Sequence, residues 1–149
     1  MSHLAQAAEQ IPQGKEMWKP CDKCMPWLSL IHHMSIGRRE IVLKTLKGER
    51  VDFPGCFSDP ANYVDSPGQA AEVQWETWNE LKSYLQAQPE DYAKSTVTFP
   101  GGFDMAVERM LWMIYEENIH HRGQAWVYAR INGLTPPSIW GSEDWERNS

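Results

Sequence analysis

Three residues on two segments of the chain could together hold a divalent cation: His33, Glu117 and His121. Glu117 and His121 are four residues apart in a stretch where Met110, Ile114, Gln124 and Tyr128 recur at intervals of three and four. On a helix they therefore share a face with apolar residues. A carboxylate on such a face is costly unless it is paired, protonated or metal-bound, and Glu and His at this spacing can hold one ion between them. The same spacing suits a plain Glu–His hydrogen bond, or a Glu117 paired with an arginine. All the histidines except His3 fall in adjacent pairs, His32-His33 and His120-His121. Neighbouring helical residues point about 100° apart, so one of each pair can face inward. His33 follows Leu30 by three and precedes Gly37 by four, whereas His32 sits with Leu28 and Ile36. Periodicity does not choose between them.

A second group is Cys21-Asp22-Lys23-Cys24, nominally a CxxC. In thioredoxin-like proteins this motif follows a strand and opens a helix in a βαβ pattern, which does not surround it here. Zinc would need a second pair of ligands, and Cys56 offers only one. An odd total of three cysteines with no export signal argues against a disulfide framework. The expectation is two incidental thiols ahead of a helix.

The elements that must position these groups read as helices. Residues 3–11 form a short first helix ended by Pro12 and Gly14. The second runs from about Pro26 to Leu46, with Leu30, Met34 and Ile41 at near-helical spacing, and stops at Gly48. From Val51 to Pro67 the density of Pro, Gly, Asp and Asn predicts a long loop, a candidate wall for a ligand pocket. A third helix spans about Gln69 to Ala87, with Val73, Trp78, Leu81 and Leu85 as its apolar stripe. Ser95 to Phe99 is β-prone and reads as an extended connector or one strand of a small hairpin. The last helix takes Asp104 as N-cap, continues to Asn132 and ends at Gly133, with Pro136-Pro137 beyond it.

Composition bounds the function. At 149 residues, 42% hydrophobic and 23% charged, the chain is one domain's worth (1–149) and should fold. A net charge of -6, with Arg38-Arg39 the one basic pair, excludes a general nucleic-acid binder. No leader or membrane span is expected, so the reading is a cytoplasmic protein. The eight tryptophans are read as filling the core and walling a cleft.

The last-helix run Glu117-Asn118-Ile119-His120-His121-Arg122-Gly123-Gln124, then Tyr128-Ala129-Arg130, Gly133, Pro136-Pro137 and Ile139-Trp140-Gly141, resembles the DinB/YfiT-like superfamily of metal-binding four-helix bundles. Lys23-Cys24-Met25 and Leu30-Ile31-His32-His33 resemble the family's second-helix signature, which favours His33 over His32. The resemblance implies an all-α four-helix bundle with a long loop after helix 2 and a shortened first helix. It implies a metal site of His33, Glu117 and His121 for Zn, Ni, Mn or Fe, with Glu117 where the family usually has His. A carboxylate keeps such a triad chemically sound. The implied activity is a metal-dependent transferase or hydrolase on a small molecule, with a low-molecular-weight thiol as a possible cosubstrate. His120 and Glu116 are then the proton-transfer candidates on the rim. The competing reading is a non-catalytic, degenerate metal-binding stress-related protein. A redox protein using Cys21 and Cys24 is a third reading. The short first helix and the many aromatics also predict a homodimer.

Overall fold

The computed structural model describes residues 3–138; Ile139-Trp140-Gly141, part of the tail motif, lies outside the described residues. Helix α1 (His3–Glu9) is as short as the breakers demand, and Leu4, Ala5, Ala7 and Ala8 are all buried. Its small side chains let it lie close against α4 (Pro67–Gln86), where Ala70 and Ala71 face it from the same core. Proline 26 caps α2 (Trp27–Ile36), holding the extended conformation just before the first helical residue.

The helical path of α2 continues as a π-helical segment, Gly37–Leu43, and a last turn, α3 (Lys44–Leu46). The core face of α2 carries on through it: Arg38 and Val42 follow Ile31 and Ser35 at intervals of three and four, and Ile41 and Leu43 are buried on either side of Val42. Gly48 ends the run with a left-handed φ of 68°. The following loop folds into two short 3₁₀ turns, Gly55–Phe57 and Pro60–Asn62. Asp59 caps the second by accepting from the Ala61 N–H at 2.9 Å.

Helix α4 starts with Ser66 accepting from the Gln69 N–H and with Pro67 in the first turn. Strands β1 (Thr96–Phe99) and β2 (Phe103–Ala106) pair antiparallel, Thr96 opposite Ala106, across a turn at Gly101-Gly102. This hairpin bears out one of the two readings of Ser95 to Phe99 and adds a small two-stranded sheet to a mostly helical fold that was expected to be all-α. It also corrects the N-cap: Asp104 lies in β2, accepting from the Thr98 hydroxyl at 2.7 Å, and α5 (Val107–Ile131) begins after Ala106. A polar residue ahead of an apolar run marked either a cap or a solvent-facing strand position, and hairpin pairing decided it.

One core cluster joins α1, α2, α4 and α5 through residues such as Leu4, Trp27, Ile31 and Ala125. A second lies under the hairpin, around Val42, Leu81, Val107 and Met110. Trp18, Trp27 and Tyr128 pack edge to face, and the Tyr128 hydroxyl donates to the Met25 carbonyl. The connector between α1 and α2 is thereby pinned to α5. Within that connector Cys21 and Cys24 are joined as a disulfide, Cα atoms 5.2 Å apart, which corrects the expectation of two incidental free thiols. The missing βαβ pattern argued against a thioredoxin-like context but not against a tight turn, and the turn closed by the Cys24 N–H donating to the Cys21 carbonyl brings the two cysteines within bonding reach.

Candidate metal centre

His33 sits on the last full turn of α2, and His121 on the middle of α5. Packing of these helices brings the two imidazoles to 5.1 Å between ring centroids, edge to face. His121 is buried, and its Nε2 stands 3.2 Å from a carboxylate oxygen of Glu117, one turn earlier on α5. His33, which the resemblance favoured, and Glu117, which spacing marked, thus both lie beside His121. Glu117 is the open member, its side chain 57% exposed against 10% for His121. Among the described residues no group of three or more His, Cys, Asp or Glu side chains is placed so that it could hold a metal ion.

His33 stacks on Phe57, rings 4.4 Å apart, from the long loop. Burial, and then the neighbouring His121, pull its pKa down, while Glu117 works the other way. The net effect favours a neutral imidazole, which is the ligating form. His32 is turned elsewhere: it is buried, hydrogen-bonded to the Asn62 carbonyl, and likewise lowered in pKa by burial. The alternative that periodicity left open is thus divided between a loop-anchoring histidine, His32, and a histidine beside His121, His33.

The sequence reading passed over a partner of His121. Gln124 Oε1 lies 2.9 Å from His121 Nδ1, and its Nε2 lies 3.0 Å from His120 Nε2. Its position on the helical stripe was visible, but a glutamine carries no ionisable signature. In this arrangement both ring nitrogens of His121 face oxygen acceptors, although a neutral imidazole has a hydrogen for only one. A proton on each nitrogen satisfies it, or a cation between Nε2 and Glu117. Turning the Gln124 amide over gives a third solution without a cation: His120 donates to Oε1, the amide donates to Nδ1, and Nε2–H donates to Glu117. His120 is exposed at the end of this chain, and Glu116 is exposed on α5 without a hydrogen bond or ion pair among the described residues.

Two cavities meet at His33. One, of about 340 Å³, is walled by Phe53, Phe57, Phe99, Met110 and Met113 and touches Glu117. The other, of about 440 Å³, is bounded by Met17, Met25, His32 and Tyr63. Both suit a small molecule with an apolar portion.

A family model described as the DinB superfamily matches residues 2–125. The crystal structure of a DinB-like protein from Bacillus subtilis aligns with a TM-score of 0.71 at 18% identity, covering 93% of this chain and 92% of that one. At that identity the likeness speaks for the fold. No curated protein matches the sequence. No helix among the described residues is long and apolar enough to cross a membrane.

Proposed function

The chain belongs to the DinB superfamily, and from that premise we propose that it is a metal-dependent transferase or hydrolase acting on a small molecule, with a low-molecular-weight thiol as its cosubstrate in the transferase case. The supporting observation is the environment of His121. Both of its ring nitrogens face oxygen acceptors while a second imidazole, favoured in its neutral form, lies 5.1 Å away. The donor set of two imidazoles and a carboxylate fits Zn²⁺, Ni²⁺, Mn²⁺ or Fe²⁺. His33, Glu117 and His121 would hold the ion.

A divalent cation held there would lower the pKa of a water or thiol beside it. The protein's own residues do the rest. Gln124, accepting from Nδ1–H, directs the Nε2 lone pair of His121 toward the site, as outer-shell partners of ligating histidines generally do. The phenylalanine and methionine walls exclude water and take the apolar part of the substrate. His120, joined to His121 through the Gln124 amide and open to solvent, is our candidate for exchanging protons with the medium. Glu116 is the second candidate.

The exposed carboxylate favours one rival, a degenerate site that binds metal weakly and catalyses nothing. Elemental analysis of protein purified without a metal-affinity tag separates the two. Near-stoichiometric divalent metal that dialysis does not remove is expected. Protein that emerges empty and takes up no added Zn²⁺, Ni²⁺, Mn²⁺ or Fe²⁺ would overturn the proposal. We also propose a homodimer, in which Val127 and Ile131, both exposed on α5, meet their counterparts.

A further inference from the structure

Arg38 and Arg39 are adjacent in sequence and opposite in circumstance. Arg39 reaches two carboxylates, Glu76 at 3.2 Å and Glu80 at 2.8 Å. Arg38 is only 2% exposed, yet no acidic side chain pairs with it among the described residues. Its Nη1 donates to the Gln74 carbonyl and Oε1 and to the Thr77 hydroxyl, its Nη2 donates to Asn118 Oδ1, and its Nε is buried without a partner. Every acceptor is neutral. Burial lowers its pKa to about 10, which still leaves it charged at neutral pH. A buried guanidinium without a counter-charge is costly unless something supplies one.

A cavity of about 320 Å³ lies against this guanidinium. Trp75, Trp78 and Ile114 form its apolar walls, with the Arg38 guanidinium 5.6 Å from the Trp78 ring. Arg122 and His3 stand at its edge, and Arg122 lies over Trp126 with no ion pair among the described residues. No Asp or Glu lines it, in a chain whose net charge is -6. The cavity shares no histidine with the candidate metal centre.

We propose that this cavity is a second binding site, for a small organic carboxylate whose apolar or aromatic body lies between Trp75 and Trp78 and whose charge answers Arg38 and Arg122. The two tryptophans provide flat apolar contact and the guanidiniums provide charge-assisted hydrogen bonding. The site's size is at the lower end for ligand pockets, which limits the ligand to roughly one ring and a carboxylate.

Benzoate is the probe, with benzamide as its uncharged counterpart. The full chain is titrated with each by tryptophan fluorescence, in EDTA so that carboxylate binding at a metal does not contribute. Saturable quenching by benzoate is expected at millimolar concentration or below, with benzamide at least ~10-fold weaker. Arg38→Met should weaken benzoate by at least ~10-fold, with a lower melting temperature because the Gln74, Thr77 and Asn118 acceptors lose their donor. Arg122→Gln, at the edge, should weaken it by about 3-fold or more without altering the fold. Were Arg38→Met not to fold, the benzoate-to-benzamide ratio and Arg122→Gln would decide. Absence of saturation up to about 20 mM, equal affinity for benzamide, or both variants within about 2-fold of wild type would each overturn the site.

Discussion

Glu117 is more than half exposed, yet its carboxylate stands 3.2 Å from a buried imidazole nitrogen, so under the proposed function its charge would face the ion. Glu117→Gln keeps the shape and removes that charge. It is expected to lower metal affinity by at least ~10-fold, whereas Glu117→His should keep or raise affinity for Zn²⁺, for which imidazole is a preferred ligand. Chelator competition on the three proteins measures both. Equal affinities for wild type and Glu117→Gln would remove Glu117 from the ligand set. At this scale, much of the candidate site was legible. Helical spacing marks Glu117 and His121, because two ionisable groups on an apolar stripe are anomalous. The choice between His32 and His33 was not legible from spacing, since it depends on which one the Asn62 carbonyl engages. Arg38 reads in the sequence only as half of a basic pair, although it lies at helical spacing from the buried Ile31, Met34 and Ser35; an arginine's charge argued for the surface and outweighed its position.

Among the elements, the helix ends are where local chemistry is most plainly tied to stability. Ser66→Ala removes the acceptor for the Gln69 N–H at the start of α4 and should cost about 1 kcal/mol. Gly133, with φ of 77°, ends the turn after α5, and Gly133→Ala should cost a similar ~1 kcal/mol because alanine is strained there. Urea denaturation of the two variants checks both; a Gly133→Ala as stable as wild type would show that the turn rearranges freely. The Gly133 end was legible because a left-handed glycine is written in one residue type, whereas the Ser66 cap was not: Pro67 reads as loop and the helix as starting at about Gln69. Nor was the start of α5, because Asp104 answers to Thr98 on the opposite strand, and the β-prone run Ser95 to Phe99 left open whether it was a connector or part of a hairpin. The breaker-rich stretch from Val51 to Pro67 was legible as a loop, but the stacking of Phe57 on His33 is a tertiary choice.

For the whole molecule, acid should be destabilising. Burial lowers the pKa of both His32 and His33, so below the ordinary value of 6.5 the unfolded chain binds protons that the folded chain resists. Stability is therefore retained above about pH 6.5 and falls as pH drops from there toward the folded pKa values. Denaturation midpoints of metal-free protein at several pH values between about 7.5 and 5 should decrease. A flat profile would contradict the burial of these rings. Light scattering at high micromolar concentration should give a dimer mass, and Val127→Lys should give the monomer; a monomeric wild type would dismiss the α5 interface. Helix α5 itself carries three loads on different sides: Glu117 and His121 on one, Tyr115, Asn118, Ile119 and Arg122 toward the Arg38 cavity on another, and the exposed Val127 and Ile131 on a third. Its substitutions are consequently pleiotropic. In a saturation scan scored for folding, metal retention and benzoate binding together, α4 should show tolerant positions recurring with the helical period along its Glu72, Glu76 and Ser83 side. α5 should show hardly any, because a residue that is idle for one property serves another.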